Sequence, residues 1–274
     1  MEVQNEARLR LDAYSIRMLK RIGDLGNIII RQHPTPTKRH SVLLGAVMKA
    51  DENANAIRHL AQINAIDEMH VLLRTFVEMT VNVCYLQYAS EAEIERFIHH
   101  DAIAGLISLE DFNRAQAGIS KVPADLERRT AAHAANASTA SGLSVKARQW
   151  SSETKNLFDR AKIVDDSVGN ADLRTLMAST YVSGSGYDHG SFKTLHKHAY
   201  YLRTGQVRHR LETAFGVNCA IQGLIYASHM FARFLAAYVG NATEEMDKDG
   251  REATAITEMA TEDFKRHNAL REHK

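Results

Sequence analysis

The stretch that decides the fold is residues 63–88, INAIDEMHVLLRTFVEMTVNVCYLQY. It contains neither Pro nor Gly, so no residue in it interrupts a helix. At the helical period, apolar side chains cover most of the cylinder: Ala65, Met69, Leu72, Leu73, Phe76, Met79, Val83, Cys84 and Leu86. A helix that is apolar nearly all round is buried. We therefore expect a central, buried helix from about Ala65 to Tyr88.

One narrow stripe of this helix is polar. Its members recur at helical spacing and therefore share one face: Asp67, His70, Arg74, Glu78 and Tyr85. A charge inside a buried helix must be paired or functional, because desolvating an unpaired ion is costly. We interpret Arg74 and Glu78 as an internal pair that faces a polar pocket. The alternative is an ordinary amphipathic helix whose polar stripe faces solvent.

The composition of the whole chain predicts an all-α protein. There are only three prolines, helix-forming residues are plentiful, and no alternating strand pair is closed by a turn dipeptide. We expect a single bundle domain of about seven to nine helices over residues 1–240, with a long apolar helix at its C-terminal end. A charged helical tail, residues 241–274, would follow it.

The charge balance, the two cysteines and the length of the apolar runs limit the partners and the compartment that we expect for this chain. Thirty-four basic side chains face 33 acidic ones, so a nucleic-acid partner would need a local basic patch. Cys84 and Cys219 lie far apart in apolar helical contexts, which is typical of buried thiols in a reducing compartment. The first ten residues are polar, and no apolar run is long enough to span a membrane. We expect a cytoplasmic protein with no membrane partner.

Helices are expected on both sides of the central one. The first covers Val3–Arg31 and ends at the prolines that follow it. A second covers Lys38–Ala50, and a break at Asp51–Asn55 separates it from a short helix at Ile57–Gln62. After the central helix, the pattern Ser90-Glu-Ala-Glu93 predicts a capping box.

The second half of the chain is more varied. Residues 113–147 are rich in Ala, Ser, Thr and Gly, which favours mobility, although Pro123 could start a helix to about Asn136. Short helices are expected at Glu153–Val164 and at Ala171–Tyr181. The apolar run from Arg208 to Val239 predicts a long helix that packs on the central one or forms a homodimer.

Fourteen histidines suggest metal binding, but their spacing does not support it. Metal sites in helical bundles typically use Glu-x-x-His pairs. The chain has no such pair, only Asp67 with His70, and no closely spaced Cys/His set. We therefore expect no metal and no cofactor.

A basic segment, residues 189–211, is the best candidate for a nucleic-acid contact. It contains no acidic residue, and aromatic rings alternate with its basic side chains, which include Lys193, His196, Lys197, Arg203 and Arg208. Cations and rings together suit phosphate contacts and base stacking. We therefore expect RNA or another phosphate-bearing ligand here. The alternative is a solvated basic face balanced by the acidic tail.

Several short motifs occur together in an order that resembles a known bacterial family. They are Leu73-Arg-Thr-Phe-Val-Glu78, Tyr85-Leu86, Arg96-Phe97, Trp150, and Tyr181 with Ser185-Gly-Tyr-Asp-His189. The chain is similar over about residues 40–200 to the family called domain of unknown function 5677. The matching positions of its signature are Arg74, Glu78, Tyr181, Ser185 and His189. Family members commonly carry an Arg just after the Tyr, where this chain has Val182.

The resemblance implies a function that can be written in terms of these residues. Helical ribonucleases of the HEPN type pair an Arg with a nearby His, although the formal matches here, such as Arg128 with His133, are as frequent as chance predicts. His189 would be the general acid and base, oriented by Glu78 or Ser185. Arg74 would bind phosphate or stabilise developing negative charge.

We therefore expect a toxin-like bacterial stress or phage-defence effector with a metal-independent RNA-cleaving or phosphate-binding site. The alternative is a non-enzymatic helical interaction or ligand-binding protein, in which the same Arg, Glu, Ser and His only fix how helices pack.

Overall fold

The computed structural model describes residues 2–116, 122–169, 172–181 and 210–240, with a few isolated positions between 248 and 258. These residues form eight α-helices and one π-helical turn, and no β-strand occurs among them. The all-α prediction is confirmed. In chain order the elements are α1 (Glu2–Gln32), α2 (Lys38–Gln62), α3 (Ile66–Tyr88), α4 (Glu91–Ala115), α5 (Ala124–Ser141), α6 (Leu157–Val168), α7 (Asp172–Leu176), the π-helical turn (Met177–Tyr181) and α8 (Arg210–Tyr238).

Helix α3 lies at the centre of the bundle. Helices α2, α6 and α8 and the π-helical turn all pack against it. The predicted buried helix is confirmed, and its fully buried apolar side chains include Met69, Leu73, Phe76, Val77, Val81, Cys84 and Leu86. The buried Thr80 hydroxyl donates to the Phe76 carbonyl at 3.0 Å, which satisfies it within the helix.

Helices α3 and α8 run parallel and approach each other closely at two glycines. A Cβ on Gly216 would lie 3.0 Å from Ile66, and a Cβ on Gly223 would lie 2.6 Å from Leu73. In each helix the two contact positions are seven residues apart in the same chain direction. A side chain at position 223 would therefore force the buried Leu73 side chain to shift.

The apolar side chains of α8 are used within the chain. From residue 217 onward they are buried against α1 and α3: Val217, Ile221, Leu224, Ile225, Met230, Phe231, Phe234 and Leu235. This leaves no support for a homodimer formed through them. No helix in the described part of the chain is long and apolar enough to cross a membrane.

Helices α1 and α2 form an antiparallel pair. A Cβ on Gly26 would lie 3.0 Å from Val47, and the Arg58 guanidinium donates to Asp12 at 2.6 Å. The expected break at Asp51–Asn55 is wrong, because α2 is continuous there. Asn53 and Ala54 are buried in that stretch, so tertiary packing outweighs the weak helix propensity of Asp and Asn.

Helices α4 and α5 pack together beside the central group. Pro123 precedes the first residue of α5, as expected, and Gly142 ends the helix with a left-handed φ of 70°. The mobility expected between residues 113 and 147 is therefore wrong for 124–141. Hydroxyls of this polar stretch donate back to helix carbonyls, as Ser141 does to Ala137 at 2.7 Å. Residues 117–121 lie outside the described part.

Candidate functional site

The polar stripe of α3 changes in exposure along its length. Asp67, His70 and Arg74 are half-buried, Glu78 is exposed, and Tyr85 is fully buried. The internal Arg74 and Glu78 pair is therefore wrong, since the Glu78 carboxylate faces solvent. The stripe is solvated at its middle, and it enters the core at Tyr85.

The π-helical turn packs against α3 and α8. A Cβ on Gly223 would meet both Leu73 of α3, at 2.6 Å, and Thr180 of the turn, at 2.9 Å. Leu73 and Thr180 thus lie against the same point of α8, and the next residues along the chain are Arg74 and Tyr181. π-Helical turns are rare and occur frequently at functional sites. The turn that ends at Tyr181 therefore packs on the same part of α8 as the residue before Arg74.

Asp165 fixes the helix that leads into this turn. Its buried carboxylate accepts hydrogen bonds from the Leu173 and Arg174 N–H groups, both at 3.0 Å. The Arg174 guanidinium adds a third hydrogen bond at 2.9 Å. A carboxylate at the start of a helix satisfies its open N–H groups. This holds α7 on α6 and sets the direction in which the π-helical turn begins.

A second polar group surrounds Glu93, which is fully buried. Its carboxylate accepts hydrogen bonds from the Ser152 N–H at 3.0 Å, from the Ser152 hydroxyl at 2.9 Å and from Arg96 at 2.6 Å. Burial by itself raises the pKa of Glu93, but these donors and Ser151 outweigh it and lower the pKa. The Ser90 hydroxyl caps α4 as predicted. The reciprocal half of the capping box is wrong, because Glu93 turns to Ser152 instead.

Arg160 of α6 is buried next to this group. It donates to Asn82 at 2.7 Å and to Thr154 at 3.0 Å, and its guanidinium lies 4.2 Å from the centre of the Trp150 ring. The Phe97 ring packs edge-on against Trp150, with ring centroids 5.0 Å apart. Burial lowers the pKa of Arg160. These contacts join α3, α4 and α6 around the single tryptophan.

Tyr85 links the polar stripe of α3 to this buried cluster. Its hydroxyl donates to Glu153 at 3.0 Å and lies 3.5 Å from a Glu93 oxygen. Burial, together with the hydrogen bond to Glu153, raises the pKa of Tyr85 far above its ordinary value. A phenol held neutral in this way cannot act as a base near neutral pH. The cluster is therefore a structural device that holds the segment before α6 against α3 and α4.

Sequence reasoning missed most of this cluster. Trp150 and Arg96 belong to the motifs quoted above, but Glu93 and Arg160 were assigned no such role. Arg160 carried one usable signal, since it lies between apolar positions on the inner side of an amphipathic helix. Among the described residues, no group of three His, Cys, Asp or Glu side chains could hold a metal ion.

Comparison with protein families decides the relationship of the chain. A family model described as a family of unknown function, DUF5677, matches residues 40–203, which is more than half of the chain. The chain belongs to the DUF5677 family. No curated protein and no solved structure matches it. The resemblance expected from the order of the motifs is thereby confirmed.

The DUF5677 match includes most of the predicted site residues. Arg74 and Glu78 lie on α3, and Tyr181 ends the π-helical turn. Seven others lie outside the described part of the chain: Ser185, His189, Lys193, His196, Lys197, Arg203 and Arg208. Helices α1 and α8 lie entirely outside the family match, although both supply core side chains.

Proposed function

We propose that this DUF5677 chain is a bacterial stress or phage-defence effector that cleaves RNA without a metal ion, with an HEPN-like site beside Arg74. One observation carries the proposal: Leu73 and Thr180, the residues directly before Arg74 and Tyr181, lie against the same point of α8 at Gly223. The segment that continues from Tyr181 contains Ser185 and His189, and the basic segment 189–211 follows it.

The proposed chemistry uses the ribose as nucleophile. His189 removes the proton from a 2′-hydroxyl, the 2′-oxygen attacks phosphorus, and the bond to the 5′-oxygen breaks. The leaving 5′-oxygen takes that proton from the His189 imidazolium, and the products are a 2′,3′-cyclic phosphate and a 5′-hydroxyl. Arg74 stabilises the charge that develops on the phosphoryl oxygens. Ser185, or the exposed Glu78 one turn beyond Arg74, orients the imidazole.

The basic segment supplies RNA binding in this proposal. Its lysines and arginines contact phosphates, and its rings stack on bases without reading sequence. Cleavage of cellular RNA arrests growth, which is the expected behaviour of an effector released by stress or infection. Expression of the wild-type chain should therefore stop growth, and His189→Ala should relieve the arrest.

The first experiment incubates total RNA with the purified chain in the presence of a chelator. We expect cleavage by the wild type and none by His189→Ala or Arg74→Ala, with all three proteins melting at similar temperatures. His133→Ala is the matched control, because His133 is exposed on α5 and belongs to a chance Arg and His match. If His133→Ala and His189→Ala lose the same activity, the assignment of His189 is overturned.

A second candidate function is non-enzymatic interaction or ligand binding, and the exposure of Glu78 favours it. A catalytic carboxylate is usually held by neighbouring groups, whereas an exposed one is suited to binding a partner. Under this alternative no variant changes RNA integrity. Glu78→Ala then weakens capture of a cellular partner without changing the melting temperature.

A further inference from the structure

An apolar stripe runs along the solvent face of α1. Leu9, Ile16 and Ile30 lie on one line at intervals of seven or fourteen residues, and Gly23 occupies the missing position. The three apolar side chains are 68%, 46% and 54% exposed. A seven-residue apolar repeat on an α-helix is typical of a surface that packs against another helix. Nothing in the described part of the chain covers this one.

Beside the stripe, α1 and α2 enclose a groove of about 470 Å³. Its floor is formed by Leu19, Ile22, Gly23 and Gly26, and Met48 of α2, which is 69% exposed, forms part of the opposite wall. Exposed apolar side chains and an adjacent apolar depression thus occur on one surface. Such a surface can be complementary to a second copy of itself.

Gly23 is not explained by the packing of the chain on itself. A Cβ on Gly26 would meet Val47 at 3.0 Å, so that glycine allows α1 and α2 to approach. A Cβ on Gly23 would meet nothing within 4 Å. Glycine in the middle of a helix costs about 0.5–1 kcal/mol relative to alanine. A neighbour that comes close from outside the chain would give this glycine a role.

We propose that the groove is occupied by α1 of a second copy of this chain, in an antiparallel, two-fold symmetric dimer centred on Gly23. In that arrangement the two Gly23 residues face each other. Ile30 of one copy lies level with Ile16 of its partner, because both are seven residues from the axis. Each apolar side chain then enters the groove of the other copy. Helix α1, which supplies the apolar stripe, lies outside the DUF5677 match, and the interface is separate from the function proposed for the family site.

Charges beside the groove are complementary in the same arrangement. Lys20 is exposed on α1 and Asp51 is exposed on the α2 wall, and neither forms an ion pair within the described part of the chain. The two-fold axis places Lys20 of one copy level with Gly26 of the other. Gly26 contacts Val47, which is one helical turn from Asp51. The lysine can therefore reach the partner carboxylate.

Among the residues described after position 240, Glu252 forms an ion pair of 2.6 Å with Arg17, on the face of α1 next to the stripe. Ile16 remains about half exposed with that ion pair in place. The ion pair therefore leaves the stripe open. A second copy fits the apolar stripe and the acidic wall together.

The test measures the mass of the full chain in solution by light scattering and sedimentation over a range of concentrations. We expect the wild type to dimerise. Gly23→Leu should weaken the dimer by at least about tenfold, which is 1.4 kcal/mol, while its monomer melts no lower than the wild type. Gly105→Leu is the matched control, because Gly105 is a helical glycine that, like Gly23, has nothing within 4 Å of a Cβ. It should dimerise like the wild type.

Charge reversal tests the orientation independently of the glycine. Lys20→Glu and Asp51→Lys should each weaken the dimer, and the double variant should restore it. The proposal is overturned if the wild type is monomeric at every concentration, or if Gly23→Leu dimerises unchanged. It is also overturned if neither single reversal weakens the dimer.

Discussion

The guanidinium of Arg160 stacks on the Trp150 ring, with its central carbon 4.2 Å from the ring centre. The same side chain donates to Asn82 of α3, 78 residues away in sequence. This one buried cation therefore connects α6, α3 and the segment around Trp150. Because α6 holds α7 through Asp165, the position of the π-helical turn depends on the same set of contacts.

Arg160→Ala should lower the free energy of unfolding by about 3 kcal/mol. The substitution leaves the buried Asn82 oxygen without its donor and removes the cation from the tryptophan face. Arg114→Ala is the control, since Arg114 is 75% exposed in its ion pair with Asp111 and should contribute less than about 1 kcal/mol. Urea unfolding measures both. Equal effects of the two substitutions would contradict the role given to Arg160.

Gly223→Ala should destabilise the chain by about 1–3 kcal/mol, because the new Cβ overlaps Leu73 and Thr180 in a packed core. It should also lower RNA cleavage by displacing the π-helical turn. Gly105→Ala, with open space around it, should instead stabilise α4 by about 0.5–1 kcal/mol. Thermal melting shows whether Gly223→Ala lowers the stability and whether Gly105→Ala raises it. A Gly223→Ala protein as stable as the wild type would show that the turn does not contact α8.

Glu93 should make the stability depend on acid pH. Its pKa is lowered in the folded chain, so its contribution is fully present above the ordinary value of 4.5. The contribution is lost as the pH falls through the lower, folded-state pKa. Glu93→Gln should therefore be less stable than the wild type at neutral pH and lose less stability below pH 4.5.

The control for that prediction is Glu110→Gln, which makes the same charge change at an exposed position of the same helix. Unfolding in urea at a series of pH values gives, for each variant, the slope of the free energy of unfolding against pH. A Glu93→Gln protein with the slope of the wild type would mean that the carboxylate of Glu93 does not govern the acid transition.

Periodicity was sufficient to predict α1 and α3, because a sustained apolar repeat at helical spacing leaves few alternatives to a packed helix, even with Gly23 and Gly26 inside α1. The break expected in α2 was wrong because Asn53 and Ala54 are buried by tertiary packing, which propensity does not include. The hydrogen bonds of Glu93 to Ser152 join residues 59 positions apart. No local pattern encodes such a pairing, so the sequence predicted a capping box where a long-range contact forms.

The candidate site shows the same limit. Motif order predicted Arg74 and Tyr181 as parts of one signature, and the residues before them, Leu73 and Thr180, both pack against Gly223. The spacing on α3 could not predict that Glu78 is exposed, because the polar residues of a stripe have the same spacing whether the stripe faces solvent or a pocket.

The most direct test of the account uses one defined oligoribonucleotide and its all-deoxy counterpart, with wild type and His189→Ala in chelator. The proposed mechanism predicts that the wild type cleaves only the ribonucleotide and leaves a 2′,3′-cyclic phosphate, detected by mass spectrometry, while a folded His189→Ala protein leaves it intact. Cleavage of both substrates, cleavage by His189→Ala, or no cleavage by a folded wild type would contradict it.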